Sequence, residues 1–153
     1  MTFEEMGKQL PPYVSYKTLI QLIGNQKEAL PAYFDTSYLS ETFSIVTATQ
    51  LTHALNFLNL INGDYRPTTR LKVIAAATGA HRAAWLRQVA EEAYPFVFKG
   101  LDVRKASYAE LQNAFLNIYQ MEDSVCRKCI KFFIELSVDA DIPLSIRLIQ
   151  EFE

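Results

Sequence analysis

The stretch Thr47-Ala-Thr-Gln-Leu-Thr-His-Ala-Leu-Asn-Phe-Leu-Asn-Leu-Ile-Asn-Gly-Asp64 decides the reading of the fold. Thr47 reads as a capping residue, and Leu51, Ala54, Leu55 and Leu58 recur on one side of a 3.6-residue helix. Thr49, Thr52, His53 and Asn56 fall on the opposite side. Asn62-Gly63-Asp64 is a turn signal, and Tyr65-Arg66-Pro67 cannot continue a helix because proline lacks the amide donor. A tight hairpin or short extended loop is expected there.

Similar signals lie on both sides. Upstream, an extended arm of about ten residues ending at Pro11-Pro12 leads to Ser15, an N-cap for a helix carrying Leu19, Ile20 and Ile23 that stops at Gly24-Asn25. Asp35 or Ser37 caps one or two turns before Phe43. Downstream, Thr68 or Thr69 caps a short helix through Leu71, Val73 and Ile74, broken at Thr78-Gly79. A long helix from Ala80 carries Trp85, Leu86, Val89, Ala93 and Phe96, with Pro95 kinking or ending it and Lys99-Gly100 closing the element. Ser107 and Glu110 form a capping box before Leu111, Ala114, Phe115 and Ile118. Asp123 or Ser124 caps a helix with Cys126, Cys129, Ile130, Phe133 and Leu136 facing inward, and an amphipathic tail, Leu144 to Phe152, follows a turn at 139–143.

The expected class is mainly α: one compact domain over 1–153 with two helix-turn-helix or winged-helix-like units, 13–78 and 80–153, and at most a minimal β-hairpin. The two units are suggested by a repeat in which Thr47, Phe57-Leu-Asn-Leu60 and Pro67 match Asp123, Phe133-Ile-Glu-Leu136 and Pro143 at one offset. Half of the 153 residues are hydrophobic, enough for one core, and the charged 21% has no single-sign tail. The net charge of -2 argues against indiscriminate nucleic-acid binding while leaving room for a local basic face. The acidic start Met-Thr-Phe-Glu-Glu-Met does not resemble a secretory signal, and no apolar run approaches the roughly 18 residues a membrane span requires, so a soluble, cytoplasmic protein without a membrane partner is expected.

Three short helices, the third amphipathic, then a turn and an extended segment describe a helix-turn-helix with a rudimentary wing. On that plan Thr49, Thr52, His53 and Asn56 are candidates to meet base edges of double-stranded DNA, Asn56 having the donor-acceptor pair that suits adenine. Arg66, Arg70 and Lys72, just past the turn, are candidates for phosphate contacts. The competing reading is a solvated helix face, which also consists of polar residues.

The run Leu10-Pro-Pro-Tyr-Val-Ser-Tyr-Lys-Thr18, the segment Gln50-Leu-Thr-His-Ala-Leu-Asn-Phe-Leu-Asn-Leu-Ile61, the turn Arg66-Pro-Thr-Thr-Arg-Leu71, Glu92-Ala-Tyr-Pro-Phe96 and Lys131-Phe-Phe133 resemble, in order over nearly the whole chain, a bacterial family catalogued as domain of unknown function 5343. The resemblance implies a self-contained helical domain with winged-helix-like parts. It implies no activity, ligand or catalytic residue.

Catalytic chemistry finds little material. Cys126-Arg-Lys-Cys129 has the spacing of a redox or half-zinc motif, but His53 and His81 stand alone and no strand precedes the helix. At i and i+3 the two thiols share the apolar face with Ile130 and Phe133 and read as core. There is no nucleophile elbow or glycine-rich phosphate loop, and Glu91-Glu92 and Glu122-Asp123 read as solvated face and helix cap. The chain is therefore read as a non-enzymatic binding module with no catalytic residue, metal, cofactor or small-molecule substrate. Its aromatic residues read mostly as core rather than as a single-strand stacking platform, with Tyr13, Tyr16, Tyr65 and Tyr108, which flank turns or helix starts, as the candidates for exposure. The alternative function is a protein-interaction or homodimer module using the C-terminal tail or the long central helix as its contact.

Overall fold

Hydroxyl and carboxylate caps set where most of the helices begin. In a computed structural model, which describes residues 10–25 and 30–153, Ser15 Oγ accepts from Thr18 N at 3.4 Å to open α1 (Tyr16–Gly24), and Asp35 Oδ1 accepts from Tyr38 N at 2.8 Å to open α2 (Thr36–Leu39). Ser44 Oγ accepts from Thr47 N at 3.2 Å to open α3 (Ile45–Phe57), and Thr68 caps α4 (Thr69–Ala76). α5 (Gly79–Ala93) leads into α6 (Pro95–Phe98), and the Ser107–Glu110 capping box opens α7 (Tyr108–Ile118). α8 (Asp123–Asp139) and α9 (Ile146–Gln150) complete the order. The mainly α class therefore holds, with nine helices and no strand among the described residues. The hairpin is reduced to one antiparallel bridge, Ile61 to Pro67. The arm expected before Leu10 lies outside the described residues.

Two local expectations are corrected, and one left open is resolved. Thr47 is not the cap of α3: the helix starts three residues earlier, because Ser44 is the hydroxyl that reaches the free amide. Neither Asp123 nor Ser124 caps α8; Glu122 takes that position without a side-chain bond, and Asp123 sits in the first turn, where a carboxylate meets the positive end of the helix dipole. Pro95 ends α5 and becomes the first residue of α6, where its missing amide costs nothing.

The sequence repeat does not keep its register. Phe57 closes α3 whereas Phe133 lies in the interior of α8, and Leu60 lies beyond its helix whereas Leu136 is helical. What the two helices share is their ending. Asn59 and Asp141 both adopt φ 57°, and Leu60 N bonds Leu55 O at 2.8 Å as Ile142 N bonds Ser137 O at 2.9 Å. This left-handed stop uses side chains that tolerate positive φ in place of glycine.

α5 and α8 form the central packed pair, with α7 against α8, α6 against α7, and α4 against α5. α1 touches both α4 and α8, and one hydrophobic cluster runs from Val14 to Leu148, so both halves of the chain contribute to a single core. Tyr94, fully buried between α5 and α6, lies at its centre, with ring centroids 4.9 Å from Phe133, 5.5 Å from Phe57, 5.9 Å from Phe96 and 6.1 Å from Phe115. Trp85 and Ile118 do not join this core: they are 36% and 59% exposed, on the outer edges of α5 and α7.

A polar tie fastens the same helices. Arg82 of α5 presents both terminal nitrogens to Asp139 of α8 at 3.0 and 2.8 Å, and Tyr16 of α1 donates its hydroxyl to the same carboxylate at 2.5 Å. Burial alone would raise the Asp139 pKa, but the Arg82 fork and the Tyr16 hydroxyl together hold it below the ordinary carboxylate value.

Candidate nucleic-acid interface

Because α3 buries Ala48, Leu51, Ala54 and Leu55, its remaining side chains turn outward, but not onto an open face. Thr49, Thr52, His53 and Asn56 line one concavity of about 300 Å³ together with Thr36 from α2, Phe57 from the end of α3 and Tyr65 from the hairpin. All four α3 candidates are thus brought together, with Thr49 and Asn56 solvent-exposed as on a solvated face and Thr52 and His53 turned inward.

Their availability differs. Asn56 is exposed at the C-terminal end of α3. Thr49 is exposed, with its hydroxyl donating to Ile45 O at 2.8 Å and its oxygen lone pairs left over. Thr52 is buried and donates to Ala48 O at 3.0 Å, so it shapes the wall of the concavity. His53 is half-buried, and its Nε2 bonds the carbonyl of Leu10, which requires that nitrogen to carry the proton. The next carbonyl, that of Pro11, accepts from Cys129 Sγ at 3.5 Å. The segment at Leu10-Pro11 therefore links α3 to α8, and this is what occupies His53.

The basic candidates also separate. Arg70 is paired with Glu92 of α5, its side chain only 15% exposed, which neutralises its charge at the surface. Arg66 places its guanidinium 5.1 Å from the ring centroid of Tyr33 and donates to the Tyr33 hydroxyl at 3.0 Å, a neutral partner that leaves the positive charge in place. Lys72 is exposed. No carboxylate forms an ion pair with Arg66 or Lys72 among the described residues.

The hairpin holds Tyr65 in an uncommon conformation. Its φ is 64°, a region that bulky side chains rarely occupy. The surrounding bonds enforce it: Tyr65 N to Asn62 O at 3.0 Å, Phe34 N to Tyr65 O at 2.7 Å, and Asn62 Oδ1 accepting from Asp64 N and Arg66 N at 2.9 and 3.1 Å. The residue stays 44% exposed where it lines the concavity.

Sequence reasoning missed Thr36, Phe57 and the Arg66–Tyr33 contact, which bring α2 and the loop before it to the site. It also missed Ile45 and Val46, 62% and 63% exposed in the first turn of α3. Reading Ser44 as the cap would have placed them on the helix.

The cysteines are core, as the shared apolar face implies. Both are fully buried and free, and burial, with Cys126 nearby, pushes the Cys129 thiol up to about 12. No cluster of three or more potential metal ligands occurs among the described residues. No helix among them is long and apolar enough to cross a membrane. The C-terminal tail docks on its own domain: Leu148 is fully buried, and Arg127 of α8 bonds Glu151 at 3.1 Å and stacks 4.5 Å from the Phe152 ring. No family model, curated protein or solved structure matches the chain.

Proposed function

We propose that the chain is a non-enzymatic DNA-binding module whose contact surface is the α3 concavity with the hairpin beside it. The observation that carries this reading is the convergence of Thr49, Thr52, His53 and Asn56 with Tyr65 on one concavity, next to the unneutralised Arg66. Thr49 and Asn56 are the groups with open hydrogen-bonding capacity toward bases. Arg66 and Lys72 are the phosphate contacts, and Arg70 drops out because Glu92 holds it.

Two phosphate contacts make weak, salt-sensitive binding the expectation. Fluorescence anisotropy of a labelled mixed-sequence duplex, titrated from low to physiological salt, should give a log–log slope of about −1.8. Arg66→Ala with Lys72→Ala should flatten it. Undetectable affinity at low salt would refute DNA binding.

A second reading, assembly through a protein contact, is favoured by a separate feature. Ile20, Ile134, Val138, Ile149 and Phe152 line an apolar groove of about 580 Å³ between α1, α8 and α9. Val138 is 49% exposed there. If this groove pairs two copies, light scattering of the wild type should give a dimeric mass that Val138→Asp reduces to the monomer; a monomer for both removes the homodimer.

A further inference from the structure

Resting on the nucleic-acid reading, we infer that the α3 concavity is a pocket for a single unpaired nucleobase, with Tyr65 as its stacking ring and Asn56 as the group that reads the base edge. Its charge is the first argument. Its lining, Thr36, Thr49, Thr52, His53, Asn56, Phe57 and Tyr65, contains no Asp, Glu, Lys or Arg. A phosphate, carboxylate or amine would enter with no counter-charge, whereas a neutral ring with donors and acceptors on its edge meets hydroxyls and an amide of both kinds.

Size and shape point the same way. About 300 Å³ is the low end of small-molecule sites, enough for one base. Phe57, with its other side packed toward Tyr94, supplies an apolar wall, and Tyr65 stands at the rim. Stacking on such rings is tolerant of base identity, while an amide can pair bidentately with an adenine edge.

The backbone of Tyr65 is the second, independent argument. At φ 64° the default residue is glycine, and a tyrosine there is strained. Burial does not offset that strain, because nearly half the residue is in solvent. The hairpin bonds to Asn62 and Phe34 hold the backbone in place, and they leave the side chain free at the concavity to cover a ligand. The adjacent residue, Arg66, carries the charge that a phosphate attached to the base would meet.

The ligand chemistry, a base bearing a phosphate, has two sources: an unpaired base within a strand and a free nucleotide. The test uses the full chain and three probes: a single-stranded oligonucleotide with one 2-aminopurine, the same strand with an abasic site there, and adenosine monophosphate. Tyr65→Gly is the variant of choice, because glycine suits the backbone and keeps the fold. Its thermal midpoint, unchanged or raised, checks that. The expected result is quenching of 2-aminopurine fluorescence, about tenfold tighter binding than the abasic strand, and loss of that difference in Tyr65→Gly. Equal affinity for the two strands, with wild-type binding by Tyr65→Gly, would overturn the pocket and leave DNA binding intact. Binding of adenosine monophosphate, sensitive to Tyr65→Gly, without binding of either strand would overturn the unpaired base of a strand as the ligand and assign the pocket to a free nucleotide. Binding of none of the three overturns the pocket, and the duplex titration then decides DNA binding separately.

Discussion

Tyr94→Phe should make this protein more stable. The Tyr94 hydroxyl is fully buried, and its oxygen has no hydrogen-bond partner among the described residues. Burial accordingly pushes its pKa far up, since a phenolate there would have neither water nor a donor. A buried hydroxyl left unsatisfied costs about 1–3 kcal/mol, which the phenylalanine ring removes. The vacated site returns part of that, at roughly 24 cal/mol per Å³ of residual cavity, a few tenths of a kcal/mol for one oxygen. The ring itself does not move, so its contacts with Phe57, Phe96, Phe115 and Phe133 persist. The net gain should be about 1–2 kcal/mol, which for a chain of this size raises Tm by roughly 2–8 °C. Calorimetry should show that rise, and urea unfolding a higher midpoint at unchanged m. A lower Tm would refute the reasoning, because it would mean that the hydroxyl is bonded and that the aromatic centre depends on it.

Two further outcomes follow from the same accounting. Asp139→Asn should cost about 1–2 kcal/mol at neutral pH, since it discharges the half-buried partner of Arg82. The folded pKa of Asp139 is depressed, so the stability it contributes is present above the unfolded value of about 3.9 and is lost as pH falls through the folded value. The gap between wild type and Asp139→Asn in urea unfolding should therefore close below about pH 4; a gap independent of pH would remove the charge from the explanation. Cys126 and Cys129 should resist iodoacetamide at pH 8 in the native protein and react fully in denaturant, because burial raises both thiols and blocks access. Mass spectrometry reads this directly, and rapid native labelling of either cysteine would contradict the core assignment.

The sequence by itself determined most of the helices and several of their caps, although α3 stops at Phe57, ahead of the Asn62-Gly63-Asp64 turn signal expected to end it. Ser15, Asp35, Thr68 and the Ser107–Glu110 pair each act within three or four residues, and the stripes Leu51, Ala54, Leu55 and Cys126, Cys129, Ile130, Phe133 are set by helical period alone. Such signals are short in range and survive without knowledge of the rest of the chain. They also put Thr49, Thr52, His53 and Asn56 on one side of α3, which is why the candidate site could be named at all.

What those residues are free to do was decided only by tertiary structure. The Arg70–Glu92 pair spans 22 residues, His53 to Leu10 spans 43, Cys129 to Pro11 spans 118, and Tyr16 to Asp139 spans 123. No local pattern encodes these contacts, because a polar side chain looks the same in sequence whether it faces water, a carbonyl or a carboxylate. Folding removed Arg70 and His53 from the open surface, brought Thr36, Phe57 and Tyr65 to the same concavity, and turned a helix face into a pocket. The physical reason is that a helix's periodicity fixes which side chains point the same way, whereas the neighbouring elements fix what they point at.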